Sequence, residues 1–128
     1  MSDPKKILTQ SEHIAVLGVN QDSDSYANKI VRKIRALKKN AYPINPVYPK
    51  LFGEPVYESL EKCPVTPDLV VFVVNPTIGI EYLSSIAQLG IKYIWLQPGT
   101  ISIDLLEEAK ALKLVVIEAC VLVVGNYL

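Results

Sequence analysis

Residues 69–74, Leu-Val-Val-Phe-Val-Val, restrict the possible folds of this chain more than any other segment. The run is apolar throughout instead of alternating, which is typical of a parallel strand that is covered on both faces. Shorter apolar runs occur at residues 14–17, 92–96 and 114–117. Residues 42–46 contain two prolines, which exclude a helix and favour a further extended segment. Five strands are therefore predicted.

Amphipathic stretches separate these runs. Ile30, Ile34 and Leu37 recur at helical spacing, a second helix is predicted over residues 78–89 and ended by Gly90, and a third over residues 102–112 begins at Ser102. Strands that alternate with such helices form right-handed crossovers and a parallel sheet. We therefore predict a doubly wound α/β fold with a five-stranded parallel sheet and helices on both faces.

The composition narrows the class of protein. A chain of 128 residues and 14.2 kDa fits a single domain over residues 1–128, with residues 1–12 as an N-terminal extension. Thirteen basic and thirteen acidic residues balance, which disfavours nucleic acid and acidic membrane surfaces as partners. Two cysteines and one histidine supply neither a disulfide framework nor the usual zinc ligands, so no metal site is predicted. The N-terminus does not have the pattern of a signal peptide, and we expect a cytoplasmic protein.

Ligands bind to open parallel sheets outside the carboxyl ends of the strands, where the strand order reverses. That rule selects four short segments, each of which follows an apolar or extended run: Gly18-Val19-Asn20, Asn45-Pro46, Val74-Asn75-Pro76 and Gln97-Pro98-Gly99. None of these segments contains a histidine, a cysteine or a carboxylate that could act as a catalytic acid, base or nucleophile. The pattern favours a binding site, and we predict no catalytic residues.

Gly18 raises the question of a dinucleotide-binding fingerprint. That fingerprint requires three glycines, but the next glycine after Gly18 is Gly53, and Asn45 stands where an acidic residue would bind the ribose. An NAD site is therefore disfavoured. A phosphate can still bind at the N-terminus of the helix that begins near Ser25, although Gly18 can equally serve only as a strand-to-helix turn.

In their order and spacing, these segments resemble the small, stand-alone CoA-binding domain family, which is related to the CoA-binding domain of the succinyl-CoA synthetase alpha subunit. The resemblance runs from about Ile14 to Cys120. It rests on the segments around Gly18, Asn45 and Asn75, on residues 53–60, on residues 95–99 and on Cys120. It implies a Rossmann-like fold and coenzyme A or an acyl-CoA as the ligand.

The resemblance also implies a role for each segment. Gly18-Val19-Asn20 and the helix start at Ser25-Tyr26 would hold the pyrophosphate, although the family usually has Ala-Ser at positions 19 and 20. Asn45-Pro46 and Lys50 would flank the 3'-phosphorylated ribose, and Val74-Asn75-Pro76 would face the adenine. Gln97-Pro98-Gly99 would border the pantetheine arm.

Several alternatives remain open from the sequence. The function could instead be that of an enzyme that uses a nucleotide cofactor, an oxidoreductase or a transferase, or that of a regulatory or scaffolding module with a vestigial pocket. Cys120 is expected to be a buried structural residue. The alternative is that it forms a mixed disulfide with the CoA thiol. The basic run between Lys29 and Lys39 is either a solvated helix face or an attraction for a polyanion. Residues 119–128 carry no charge, so we expect a sixth strand or a subunit contact there, and a homodimer.

Overall fold

Seven strands and six helices make up the computed structural model, which describes residues 3–128. The strands are β1 (His13–Leu17), β2 (Asn40–Ile44), β3 (Lys50–Leu51), β4 (Glu54–Pro55), β5 (Leu69–Phe72), β6 (Tyr93–Leu96) and β7 (Val115–Glu118). The helices are α1 (Pro4–Gln10), α2 (Tyr26–Ala36), α3 (Pro76–Gly79), α4 (Leu83–Gln88), α5 (Ile103–Ala111) and α6 (Val121–Val124). Three short 3-10 helices complete the list: Leu60–Lys62, Ile80–Tyr82 and Gly125–Tyr127.

Five of the strands form one parallel sheet in the order β2-β1-β5-β6-β7. The order reverses between β1 and β5, where Ile14 lies opposite Leu69. The doubly wound, Rossmann-like α/β fold and its five parallel strands are therefore confirmed. The antiparallel hairpin of β3 and β4 is an addition that the sequence did not predict.

The hydrophobic core has two parts, one on each face of the sheet. On one face, residues of α1, α2 and α6 pack with Trp95, whose side chain is fully buried. On the other face, α4 and α5 pack with Phe72. Ile7 and Leu8 of α1 belong to the first part, so this helix of the predicted N-terminal extension contributes to the core.

The predicted helices differ from the observed ones at their starts and breaks. Residues 78–89 were expected to form one helix, but the chain forms α3, a 3-10 helix and α4 there. Helix α5 begins as predicted, because Ser102 Oγ accepts a hydrogen bond from the backbone N–H of Leu105 at 3.1 Å. No helix within residues 3–128 has both the length and the apolar character needed to cross a membrane.

The tail after β7 is helical, so the sixth strand, one of the two alternatives for this segment, is wrong. The four residues from Val121 to Val124 form α6 because Gln97 Oε1 accepts the N–H of Val121 at 2.7 Å and turns the chain back over α2. There, Lys33 Nζ donates to Asn126 Oδ1 at 2.6 Å. The apolar valines had indicated a strand. The exposed strand face that led to a homodimer is therefore absent, and the homodimer stays a prediction.

Candidate functional site

Gly18 marks the point where β1 and β5 end side by side. Its φ of +104° lies in the left-handed region that favours glycine, and a Cβ atom there would lie 2.4 Å from the carbonyl oxygen of Val73. The close approach of two backbones therefore requires a glycine at this position. This agrees with the alternative in which Gly18 serves as a strand-to-helix turn. The glycine also opens the loop toward the crevice at the reversal of strand order, where such folds bind ligands.

The loop from β1 to α2 is held by its own side chains. Asn20 Oδ1 accepts the N–H of Asp22 at 2.8 Å, and Asp22 Oδ1 accepts the N–H of Asp24 at 2.9 Å. Asn28, which is only 6% exposed, donates from Nδ2 to the carbonyl oxygens of Asn20 and Asp22 at 2.7 and 2.6 Å. The loop is therefore fixed in one shape and carries two exposed carboxylates.

Helix α2 begins directly after this loop. Ser25 is its N-cap, and Ser25 Oγ accepts the N–H of Asn28 at 3.3 Å. Within residues 3–128, the N–H groups of Tyr26 and Ala27 have no acceptor, and the Tyr26 side chain is 65% exposed. Such free N–H groups at the positive end of the helix dipole suit a phosphate.

Asn45 follows β2 and contacts the loop after β1. Its Nδ2 donates to the carbonyl oxygen of Val19 at 2.8 Å, and its Oδ1 accepts the N–H of Val47 at 2.8 Å. Pro46 beside it is exposed. Lys50 is exposed in β3 and forms no ion pair within the described part of the chain. The structure therefore joins Asn45 to Val19, whereas within residues 3–128 the Lys50 side chain forms no hydrogen bond or ion pair with the other segments.

The segment after β5 starts α3. Val74 is half-buried, and Asn75 is the N-cap, since Asn75 Oδ1 accepts the N–H of Ile78 at 3.0 Å. Pro76 occupies the first turn of α3, where a missing N–H costs nothing. The side-chain oxygen of Asn75 is thus used by the helix, and its amide nitrogen lies at the exposed carboxyl edge of the sheet.

A cavity of about 190 Å³ brings the ends of three strands to the start of α2. It is lined by Tyr26, Val73, Gln97, Pro98 and Cys120. The neighbouring Gly99 is exposed, with a φ of +90°.

Gln97 is the polar group that organises this cavity. It is 3% exposed, and its Nε2 donates to the half-buried Cys120 Sγ at 3.4 Å. Its Oε1 accepts both Trp95 Nε1 at 3.2 Å and the N–H of Val121 at 2.7 Å. The side chain therefore fixes the shape of the cavity wall, and the exposed Pro98 beside it shapes the mouth.

Sequence reasoning missed part of this arrangement. Val73 contributes to both the glycine turn and the cavity, but it was counted only as part of a strand. Asn28 organises the loop, and the one signal for it was a polar residue three positions before Val31, on the apolar face of the helix. Cys120 was expected to be buried, with a thiol that faces the ligand as the alternative; it is half-buried and lines the cavity.

Comparisons with known proteins give a consistent result. The sequence profile of a family described as "CoA binding domain" matches residues 12–126. An ADP-forming acetate–CoA ligase I of Archaeoglobus fulgidus is 33% identical over 61 residues, which is 48% of this chain and 9% of the ligase. An ADP-forming acetate–CoA ligase of Methanocaldococcus jannaschii is 25% identical over 87 residues, 68% of this chain and 12% of the ligase. The chain thus spans about a tenth of the length of these relatives.

A solved structure supports the fold over nearly the whole chain. A protein of Pyrococcus horikoshii OT3, described as hypothetical, superimposes with a TM-score of 0.89 at 25% sequence identity. The match covers 97% of this chain and 88% of that one.

Proposed function

Since the chain belongs to the CoA-binding domain family, we propose that it binds coenzyme A or an acyl-CoA at the carboxyl edge of its sheet. The observation that carries this proposal is the junction of Gly18 with the start of α2. There, the loop that follows the glycine turn is tied to α2 by Asn28, and the first two N–H groups of α2 have no acceptor within residues 3–128. This is the arrangement that a pyrophosphate needs.

The pyrophosphate would bind along Gly18-Val19-Asn20 and at the N–H groups that follow Ser25, with the Tyr26 side chain beside it. Residues 18–26 contain no lysine or arginine, so the positive field there comes from the helix end, together with the Arg32 guanidinium, which donates to the Ser23 carbonyl oxygen of the loop. The exposed carboxylates of Asp22 and Asp24 lie in the same loop and oppose the phosphate charge. The proposed site therefore contains both an attractive and a repulsive contribution, and each can be altered separately.

The adenosine end would extend toward β2. Asn45-Pro46 and Lys50 would flank the phosphorylated ribose, and Val74-Asn75-Pro76 would face the adenine. Lys50 is exposed and free of an ion pair within residues 3–128, so its ammonium group can turn to an incoming phosphate. Asn45 would act through the loop, because its amide is bonded to Val19.

The pantetheine arm would enter the cavity beside Tyr26. Gln97-Pro98-Gly99 would form its border, and the 190 Å³ volume suits a narrow chain instead of a ring system of nucleotide size. The CoA thiol or an acyl group would then approach Cys120. Binding, without a reaction of its own, is the function that these residues support.

Calorimetric titration with CoA, acetyl-CoA, NAD and ATP tests the proposal directly. We expect CoA or acetyl-CoA to bind more tightly than NAD and ATP. A Tyr26→Glu variant should weaken CoA binding, because a carboxylate would then lie at the N–H groups offered to phosphate. Tyr26 is largely exposed, so the variant should fold, and Tyr26→Gln is the matched neutral control. Tighter binding of NAD, or equal CoA affinities of the two variants, would contradict the proposal.

A further inference from the structure

A second cavity, of about 160 Å³, lies between α2, β2 and the β3–β4 hairpin. None of its lining residues belongs to the cavity beside Tyr26, whereas Val19 is shared with the loop proposed to hold the pyrophosphate, and the hairpin also carries Lys50. The buried walls of the cavity are mostly apolar, since Val19, Val31 and Val56 are 1%, 6% and 7% exposed, and the buried Asn28 adds one polar side chain. Arg32 and Arg35 of α2 also line it. The cavity therefore combines an apolar interior with two guanidinium groups.

Only one of the two guanidinium charges is neutralised. Arg35 forms an ion pair with Glu54 and donates from Nη2 to the Ala41 carbonyl oxygen at 3.3 Å. Arg32 donates from Nη2 to the Ser23 carbonyl oxygen at 2.8 Å, and within residues 3–128 no carboxylate lies within ion-pair distance of it. The cavity therefore has one uncompensated positive charge, which suits a monoanion.

Phe52 at the tip of the hairpin also lines the cavity. Its φ is +52°, and that of Gly53 is +79°, so both central residues of the turn are left-handed. Asparagine and glycine are preferred there, and a bulky residue is strained. The Phe52 side chain is also 60% exposed. A large apolar residue is thus held in an unfavourable conformation beside an apolar cavity, which indicates a role in covering a ligand.

We propose that this cavity is a second binding site, which adjoins the proposed CoA site and is distinct from the pantetheine cavity, and that it takes a small monocarboxylate with a short apolar or aromatic body. The carboxylate pairs with Arg32, since a guanidinium presents two parallel N–H donors to a carboxylate. The body enters between Val31 and Val56, and Phe52 covers it. The size agrees, because an apolar protein cavity of about 150 Å³ holds a benzene molecule.

Methyl-detected NMR with sodium benzoate as the probe tests the site. We expect saturable shifts at the Val31, Leu51 and Val56 methyl groups and none at Val116, which packs on the opposite face of the sheet. Benzamide, which has the same body without the charge, should bind at least tenfold more weakly. Equal affinities of benzoate and benzamide would overturn the assignment of a carboxylate.

Two variants separate the contributions of charge and cover. Arg32→Gln should weaken benzoate binding at least tenfold, whereas Lys29→Gln, which makes the same charge change one turn earlier on α2, should leave it within twofold. Phe52→Asn should weaken benzoate binding severalfold while raising the melting temperature, because asparagine tolerates the left-handed conformation. Equal losses in Arg32→Gln and Lys29→Gln would reveal a general charge effect and overturn the proposal.

Saturating CoA tests whether the two sites are separate. The benzoate shifts should persist in the presence of CoA, and calorimetric CoA affinity should be unchanged in Phe52→Asn. Displacement of benzoate by CoA would overturn the second site. Failure of CoA to bind would contradict the proposed function and leave the benzoate titration as an independent result.

Discussion

The side-chain amide of Asn45 donates a hydrogen bond from Nδ2 to the carbonyl oxygen of Val19 at 2.8 Å. The contact joins the end of β2 to the loop that follows β1, the same loop that is proposed to hold the pyrophosphate. Its direction matters, because an amide can donate to a carbonyl oxygen and a carboxylate cannot. In the sequence, Asn45 was notable only because no acidic residue stands at this position. The structure explains the amide, because the Val19 carbonyl oxygen needs a hydrogen-bond donor.

Asn45→Asp should therefore destabilise the protein and weaken CoA binding. The variant keeps the acceptor for the Val47 N–H but places a carboxylate against the Val19 carbonyl oxygen. Removing a partner from such a bond costs about 1–3 kcal/mol of unfolding free energy. Urea unfolding measures this loss. The control is Asn75→Asp, which keeps the acceptor that caps α3 and should leave stability nearly unchanged. Equal stabilities of the two variants would contradict the role given to the Asn45 donor.

Gly18→Ala should destabilise the fold more than Gly90→Ala. Both glycines have a positive φ, +104° and +79°, so both substitutions introduce a residue into a conformation that costs about 1–2 kcal/mol. Only at position 18 does the new Cβ meet another atom, the Val73 carbonyl oxygen at 2.4 Å, whereas nothing lies within 4 Å at Gly90. The difference between the two melting temperatures measures the close approach of β1 and β5. A larger fall in melting temperature for Gly90→Ala would show that the positive φ, and not the contact with Val73, determines the loss of stability.

The sheet could be predicted from the sequence because its strands have a property that needs no tertiary information. Residues 69–74 are apolar on both sides, which is typical of a strand in the middle of a covered sheet. The tail shows where this reasoning ends. Its valines favour a strand locally, but the bond from the Val121 N–H to Gln97 forms across the molecule and turns the chain into α6. A contact between residues 24 positions apart is not visible in a local pattern.

The sequence predicted where the candidate residues lie on the sheet, but it did not predict the hydrogen bonds that their side chains form. Each of four residues follows a parallel strand and therefore lies at the carboxyl edge of the sheet: Gly18, Asn45, Val74 and Gln97. Their location thus follows from the strand pattern. The use of each side chain does not follow, because Asn45, Asn75 and Gln97 all bond to the protein itself. The cavity at the β3–β4 hairpin escaped prediction for a similar reason, since two-residue strands carry no periodicity.

Asp24→Asn should tighten CoA binding. The Asp24 carboxylate lies in the loop proposed to hold the pyrophosphate, and it accepts no hydrogen bond within the described residues, so the loop should keep its shape without the charge. Removing one exposed negative charge near a phosphate is worth roughly 0.5 kcal/mol per phosphate charge at 8 Å in water, and we expect about two- to fivefold. Calorimetry at low salt measures the change, and raising the salt concentration should reduce it. Unchanged affinity at low salt would place the phosphates away from this loop.

Stability should fall as the pH rises from about 9 to about 11. Burial, and secondarily the charge of Glu61, raises the pKa of the Cys63 thiol from 9.0 to about 11. In this interval the unfolded chain has lost the Cys63 proton while the folded chain keeps it, so the unfolding free energy decreases with pH. Urea unfolding across this range should show the decline, and Cys63→Ala should flatten it. An equally steep decline in the variant would assign the effect to other groups.

Lys50 should distinguish CoA from dephospho-CoA, which lacks the 3'-phosphate. We expect dephospho-CoA to bind about tenfold more weakly, the low end of what a hydrogen bond to a charged group contributes, because Lys50 is exposed. Lys50→Gln should lower the affinity for CoA and leave the affinity for dephospho-CoA unchanged, so that the variant no longer distinguishes the two ligands. Lys110→Gln makes the same charge change on α5 and should keep the distinction. If Lys50→Gln still prefers CoA by the full factor, the 3'-phosphate is bound by another residue, and the adenosine end of the site must be moved away from the β3–β4 hairpin.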